Sequence, residues 1–217
     1  MNAWFEEVAS DIIALRLFGP SYLFSLYYFL FAAGDPRAPS RTHPPSVIRA
    51  TVCTQVLLRK ANGLGYVGSK FELNKLLQQW EPLLKCPTPL HDPFYESARS
   101  QLHQRLDDIA KLVLDLSELR PLEYTTAVLD RDVGELMDRI SKGLPPNEHE
   151  DRAKGTRTPA DTISILNAGW LSFLADWKKW EMLMPSKSEA DAKSRFYDVL
   201  SYGIELSEMA KQMGTGG

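Results

Sequence analysis

Glu7 and Asp11 lie four residues apart near the start of the chain. On a helix that spacing puts both carboxylates on one face, which also carries Ala14 and Phe18. A face with Ala and Phe on it looks partly into the protein. Two half-buried like charges repel, and each is costly unless it is paired. A positive group must therefore stand beside them, and the sequence offers Arg16, Arg49 or a bound metal ion. Arg49 has the best approach. The run Thr42-His43-Pro44-Pro45 would turn the chain and send a later helix back along the first. A guanidinium can bridge two carboxylates with its fork of donors.

The elements that must position these groups are helical, because the apolar periodicity is helical nearly throughout. A first helix is expected over about Ala3–Phe18, with Gly19-Pro20 breaking the chain and Pro20 in the first turn of a second helix to about Ala33. A loop, GDPRAPSRTHPP, precedes a third helix from about Pro45 to Ala61. Ser69 and Glu72 have capping-box form and open a fourth, to about Leu84. Asp92-Pro93 starts the longest helix, to about Leu119, with Leu102, Leu106, Ile109, Val113 and Leu116 as its packing seam. YTTAV reads as a short extended piece, and Asp130–Lys142 as a shorter helix. Thr158-Pro159 opens another helix, with Ile163, Leu166, Trp170, Phe173, Leu174 and Trp177 on one side. Ser188 opens the last, with Phe196, Val199, Leu200, Gly203 and Leu206 inward.

The expected fold class is all-α, a multi-helix array of about seven or eight helices with an N-terminal apolar helical hairpin. Its organisation reads as a helical region over 1–142, a mobile linker over 143–158, and a C-terminal helical hairpin over 159–213 that could share one core with the first region. The linker reading rests on the lack of any large apolar residue between Leu144 and Thr158.

The chain has 217 residues, 44% of them apolar and 24% charged, and a formal net charge of −3. It has no basic stripe, so it is not expected to bind nucleic acid. Its two cysteines, Cys53 and Cys86, form no metal-type spacing, and a reducing, cytoplasmic setting is the plain reading. The acidic N-terminus has no signal-peptide character. The most apolar stretch, Ile12–Ala33, contains Arg16 and is broken at Gly19-Pro20. It falls short of the roughly twenty apolar residues that a span needs, so a buried hairpin is expected rather than a membrane helix.

The order E-x-x-x-D, G-P, an apolar helix, then H-P-P-x-x-x-R resembles the gluzincin metallopeptidases of the CaaX prenyl-protease and HtpX kind. The resemblance covers roughly the first quarter of the chain. It implies that Glu7 is the carboxylate zinc ligand, that Asp11 steadies its surroundings, that His43 faces the developing oxyanion, and that Arg49 holds the ligand Glu. Two departures stand out. Ala9-Ser10 precedes Asp11 where the family has Ala directly before Asp. There is also no HExxH, and none of the four histidines, His43, His91, His103 and His149, pairs at i, i+4.

A catalytic zinc needs three protein ligands and an open position. The chain therefore reads as the C-terminal segment of a zinc-metallopeptidase-like protein, inactive alone and binding no zinc by itself. Zinc belongs to the parent protein on this reading. The partner is an HExxH-bearing N-terminal segment or a separate chain, and self-association follows if the surface it should cover is exposed. Met1 is then an internal methionine, a misassigned start or a processing boundary. The alternative is a non-enzymatic helical interaction or scaffold protein, in which Glu7, Asp11 and Arg49 only pin the first helix to the third. A third reading inserts the Ile12–Ala33 hairpin into a membrane surface.

Other candidates carry less. Glu148, His149, Glu150 and Asp151 look like a metal box but lie in a run with no scaffold, so a solvated loop is expected. Trp170, Trp177 and Trp180 read as core or interface. Tyr22, Phe24, Tyr27, Tyr28, Phe29 and Phe31 read as hairpin core. GLGYVG lacks the strand and lysine of a phosphate loop, and no G-x-S-x-G is present.

Overall fold

Helix formation dominates the computed structural model, which describes residues 2–32, 43–60, 63–78, 93–151, 155–183 and 188–214. Eight α-helices and two 3-10 turns account for nearly all of the regular structure there, so the class is all-α. The helices are α1 (Asn2–Phe18), α2 (Pro20–Ala32), α3 (Ser46–Leu58), α4 (Leu73–Gln78), α5 (Pro93–Leu114), α6 (Thr126–Ser141), α7 (Thr162–Leu183) and α8 (Glu189–Gly214). A two-stranded antiparallel hairpin, β1 (Glu148–Asp151) with β2 (Thr156–Pro159), lies between α6 and α7 in the chain. No described helix is long and apolar enough to cross a membrane.

The chain divides into two compact units, Met1–Thr126 and Ala127–Gly217. The sequence places its division later, at 143–158.

In the first unit α1 packs on α2, α3 and α5. Its buried face is Trp4, Val8, Ile12 and Leu15, spaced by four, four and three. Leu23, Phe24 and Tyr27 of α2 and Val47, Ala50, Cys53, Val56 and Leu57 of α3 complete this core. Full burial of each large apolar side chain contributes about 1.5–3 kcal/mol. Trp4 sits in a cluster with Ala98 of α5 and Ile48 of α3. Tyr27 and Thr54 share a hydrogen bond of 3.0 Å that ties α2 to α3. The hairpin core is narrower than the aromatic content suggests, because Tyr28 and Phe29 are exposed.

Gly19 makes the α1–α2 corner. Its φ is +63°, and its N–H donates to the Leu15 carbonyl at 2.8 Å, which ends α1 in a left-handed cap. A Cβ there would stand 2.7 Å from Cδ1 of Tyr124, so the corner needs glycine for space as well as for φ. Pro20 then starts α2 at the position where a missing N–H costs nothing.

The seam of α5 is Ala98, Leu102, Leu106, Ala110 and Val113. Leu116, expected on it, is exposed because α5 stops at Leu114 and a 3-10 turn, Ser117–Leu122, follows. The capping box expected at Ser69 does not form. Ser69 Oγ accepts from Phe71 N at 3.3 Å, Glu72 takes a φ of +48°, and α4 begins only at Leu73. The continuation expected to Leu84 lies outside the described residues, as do Cys86, His91 and the Asp92 cap.

In the second unit Leu129, Val133, Leu136 and Ile140 form the buried stripe of α6. This helix begins at Thr126, so the last three residues of the expected extended piece, Thr126 to Val128, are its first turn, with Tyr124 and Thr125 irregular before it. Residues 143–158 carry β1 and most of β2. Their anchor is polar: Arg139 donates from Nε to the Pro145 carbonyl at 2.8 Å and from Nη2 to Asn147 Oδ1 at 3.0 Å. Pro146 is buried against Gly203, where a Cβ would lie 2.6 Å from its Cδ. Pro159 ends β2 rather than opening α7, whose N-cap is Asp161, with Oδ2 accepting from Ile163 N at 3.0 Å. Ser188 does cap α8, with Oγ accepting from Asp191 N at 3.2 Å. The fully buried line of α7 is Ile165, Ala168 and Leu171, while Leu166, Trp170, Phe173 and Trp177 are half-buried beside it.

Candidate functional site

Two helices of the first unit, α1 and α3, and the residues just before α3 bring the acid pair, the arginine and the histidine together. Arg49, in the first turn of α3, donates from Nε to Asp11 Oδ2 at 2.8 Å and from Nη2 to Asp11 Oδ1 at 2.6 Å. This is a two-point fork on one carboxylate. Its remaining nitrogen, Nη1, is 2.8 Å from Glu7 Oε1. His43, just before α3, places Nδ1 3.1 Å from Glu7 Oε2. A carboxylate only accepts, so the ring proton in that contact sits on Nδ1. Residues 36 and 38 positions apart thus meet on the face that the E-x-x-x-D spacing defines.

Burial falls steeply across the cluster. The side chain of Asp11 is 2% exposed, that of Arg49 16%, that of Glu7 27% and that of His43 64%. Asp11 is the buried anchor, and Glu7 with His43 is the mouth. Two carboxylates against one guanidinium leave the cluster one negative charge when His43 is neutral.

Tyr22 is a fifth member, and it was expected only as hairpin core. Its hydroxyl donates to Asp11 Oδ1 at 2.5 Å, so that oxygen accepts from both Tyr22 and Arg49. Burial, and then the hydrogen bond and charge of Asp11, push the Tyr22 phenol well above its ordinary range. Burial works against the Arg49 charge. The hydrogen bonds to Asp11 and the charges of Asp11 and Glu7 outweigh it, and they hold the guanidinium above its ordinary value. Cys53, one helical turn beyond Arg49 on α3 and fully buried, has its thiol raised by burial and by the Asp11 charge. It is therefore a poor nucleophile. The signal for Tyr22 was a phenol in an apolar run, since a buried Tyr hydroxyl needs a partner.

Arg16, the other cation expected near the acids, serves a different purpose. It is 1% exposed and donates from Nη1 to the carbonyls of Val113 at 2.8 Å and Leu116 at 2.9 Å. Its Nε is 3.1 Å from Glu123 Oε2. It closes the C-terminal end of α5, where carbonyls lack helical partners and the dipole favours a cation. Five residues from Asp11 is about 140° around the helix, which puts Arg16 on the far side.

The second candidate metal box is a paired strand instead. Glu148 accepts from Arg157 at 2.9 Å and lies 3.2 Å from Arg139, while the Glu150 N–H donates to Glu135 at 2.7 Å. Among the described residues, no group of three or more His, Cys, Asp and Glu side chains is placed to hold a metal ion. A zinc centre needs three protein ligands, and Glu7 would supply one, so the described residues do not by themselves fit a zinc centre. His91 lies outside the described residues, and His103 is exposed on α5.

No family model, no curated protein and no solved structure matches this chain.

Proposed function

We propose that this chain is the C-terminal segment of a zinc-metallopeptidase-like protein, that it carries the carboxylate side of the metal centre, and that it is inactive alone. The observation that supports this reading is the order of burial in the cluster. Arg49 spends its fork on the buried Asp11 and lends its third nitrogen to the half-exposed Glu7. Glu7 is thereby held, with Arg49 on one oxygen and His43 on the other, as a fixed carboxylate ligand would be. His43 stands beside it at the exposed end; with Nδ1 donating to Glu7, it is the doubly protonated ring whose Nε2–H would meet an oxygen that gains charge. A zinc ion, when bound, would activate water for attack on a peptide carbonyl. The HExxH helix belongs to another segment or another polypeptide.

The test is zinc stoichiometry. The 217-residue chain should hold far less than one zinc. The same chain extended by its in-frame upstream sequence should hold one and cleave a casein-type substrate, and Glu7→Ala should lose the metal. One tightly bound zinc on the 217-residue chain alone would overturn the reading.

A second reading has its own observation: all three Arg49 nitrogens already have partners inside the cluster. On that reading the site is a pin within a non-enzymatic helical interaction protein. An extended protein that binds no zinc, with Glu7→Ala changing stability only, would favour it.

A further inference from the structure

A pocket of about 190 Å³ opens between α7 and α8 in the second unit. Its lining includes Trp170, Phe173, Phe196, Tyr197, Leu200 and Ile204, with Ser201 at its edge. The pocket opens to solvent at its rim, where Tyr197 and Ser201 are exposed, and it lies where the two helices approach closely. A Cβ at Gly169, which also lines it, would stand 2.6 Å from Leu200 Cδ1. The space is therefore not slack between loosely packed helices. It is a recess beside a tight crossing.

The walls define what would fit. No charged side chain lines the recess, so a charged guest would lose its hydration without compensation. Phe173 packs against Trp170 at 6.0 Å and against Phe196 at 5.9 Å between ring centroids, and Phe196 against Tyr197 at 6.2 Å. The lining is thus built from rings in tilted and edge-to-face contact, the arrangement in which aromatic groups associate. Ser201, exposed at the rim, is the aliphatic hydroxyl residue of the lining. An apolar cavity of about 150 Å³ holds benzene, so this one has room for a bicyclic ring.

We infer that the α7–α8 pocket is a binding site for a neutral aromatic molecule of about indole size with a single hydrogen-bonding group. This site is separate from the Glu7 cluster and does not depend on its function.

The experiment uses 5-fluoroindole with the full chain, followed by fluorine NMR. Saturable binding is expected, with a Kd of about 0.1–1 mM for a ligand of this size. Intermolecular contacts should reach the methyls of Leu200 and Ile204. Ser201→Phe, which fills the recess from its exposed rim, should weaken binding at least tenfold. Ser194→Phe, exposed on the same helix and outside the lining, should not. The contact map on the wild-type chain decides the matter even if Ser201→Phe fails to fold. Absence of saturation by 5 mM, contacts elsewhere, or unchanged binding by a folded Ser201→Phe would overturn the assignment. So would a dimer that Ser201→Phe dissolves, because that would give the pocket to a second copy.

Discussion

Arg49→Met removes the only guanidinium in the cluster and leaves Asp11, 2% exposed, with the Tyr22 hydroxyl as its remaining donor there. Breaking a buried pair by removing one partner costs about 3–5 kcal/mol. Asp11 has one escape, which is to take up a proton. At pH 7 that costs about 4 kcal/mol for a carboxyl whose unfolded pKa is near 3.9, and this sets a ceiling on the loss. The escape fixes the pH dependence. A buried carboxylate stripped of its guanidinium is disfavoured in its charged form, so the penalty of the substitution is smaller at acid pH and larger as pH rises. The penalty against wild type should grow by about 1.4 kcal/mol per pH unit, so the loss at pH 7 exceeds that at pH 5 by roughly 2–3 kcal/mol. Urea unfolding at both values, followed by circular dichroism with hydrogen exchange on α1 to isolate the first unit, measures it. Asp11→Leu on the Arg49→Met background should recover much of the loss, since two apolar groups replace a broken pair. A loss below about 0.5 kcal/mol at both pH values would refute the reasoning, because surface pairs are worth that little.

Three further outcomes follow from the same geometry. Tyr22→Phe should cost about 1–2 kcal/mol in urea unfolding, less than Arg49→Met, because Asp11 keeps its fork. At alkaline pH, burial and then the nearby Cys53 raise the Tyr27 phenol, against the hydrogen bond from Thr54, up to about 12, and Tyr22 is raised as well. Both contribute stability that is complete below about pH 10 and is lost as pH climbs beyond it. Absorbance at 295 nm should show two tyrosines that ionise only as the first unit unfolds. Gly19→Ala should lose about 1–3 kcal/mol in thermal or urea unfolding, from its φ of +63° and the 2.7 Å approach to Tyr124.

The legible parts were those with a strong local period. The α1–α2 hairpin showed in its apolar stripe and its Gly19-Pro20 break, and the Glu7–Asp11 face followed from one helical turn. Arg49 was reachable because a proline-rich run must reverse the chain ahead of α3. What stayed hidden depended on phase or on partners far along the chain. Arg16 looked like a neighbour of the acids in sequence, yet its helical phase turns it to carbonyls 97 and 100 residues away. Leu116 continued an apolar spacing after the helix had ended. The β1–β2 hairpin has polar residues on both faces, so no alternation announces it. Its anchors, Arg139 and Pro146, are types that an apolar count ignores. Tyr22 was placed in the right element, but its phenol was read as apolar bulk.

The most direct test of the central claim is the coding sequence immediately upstream of Met1. The account predicts an in-frame HExxH on a helix-compatible stretch, or the same motif in an adjacent reading frame whose product co-purifies with this chain. A continuous upstream region without that motif, together with a chain that purifies alone, would contradict it and leave the Glu7–Asp11–Arg49–His43 cluster as a structural pin.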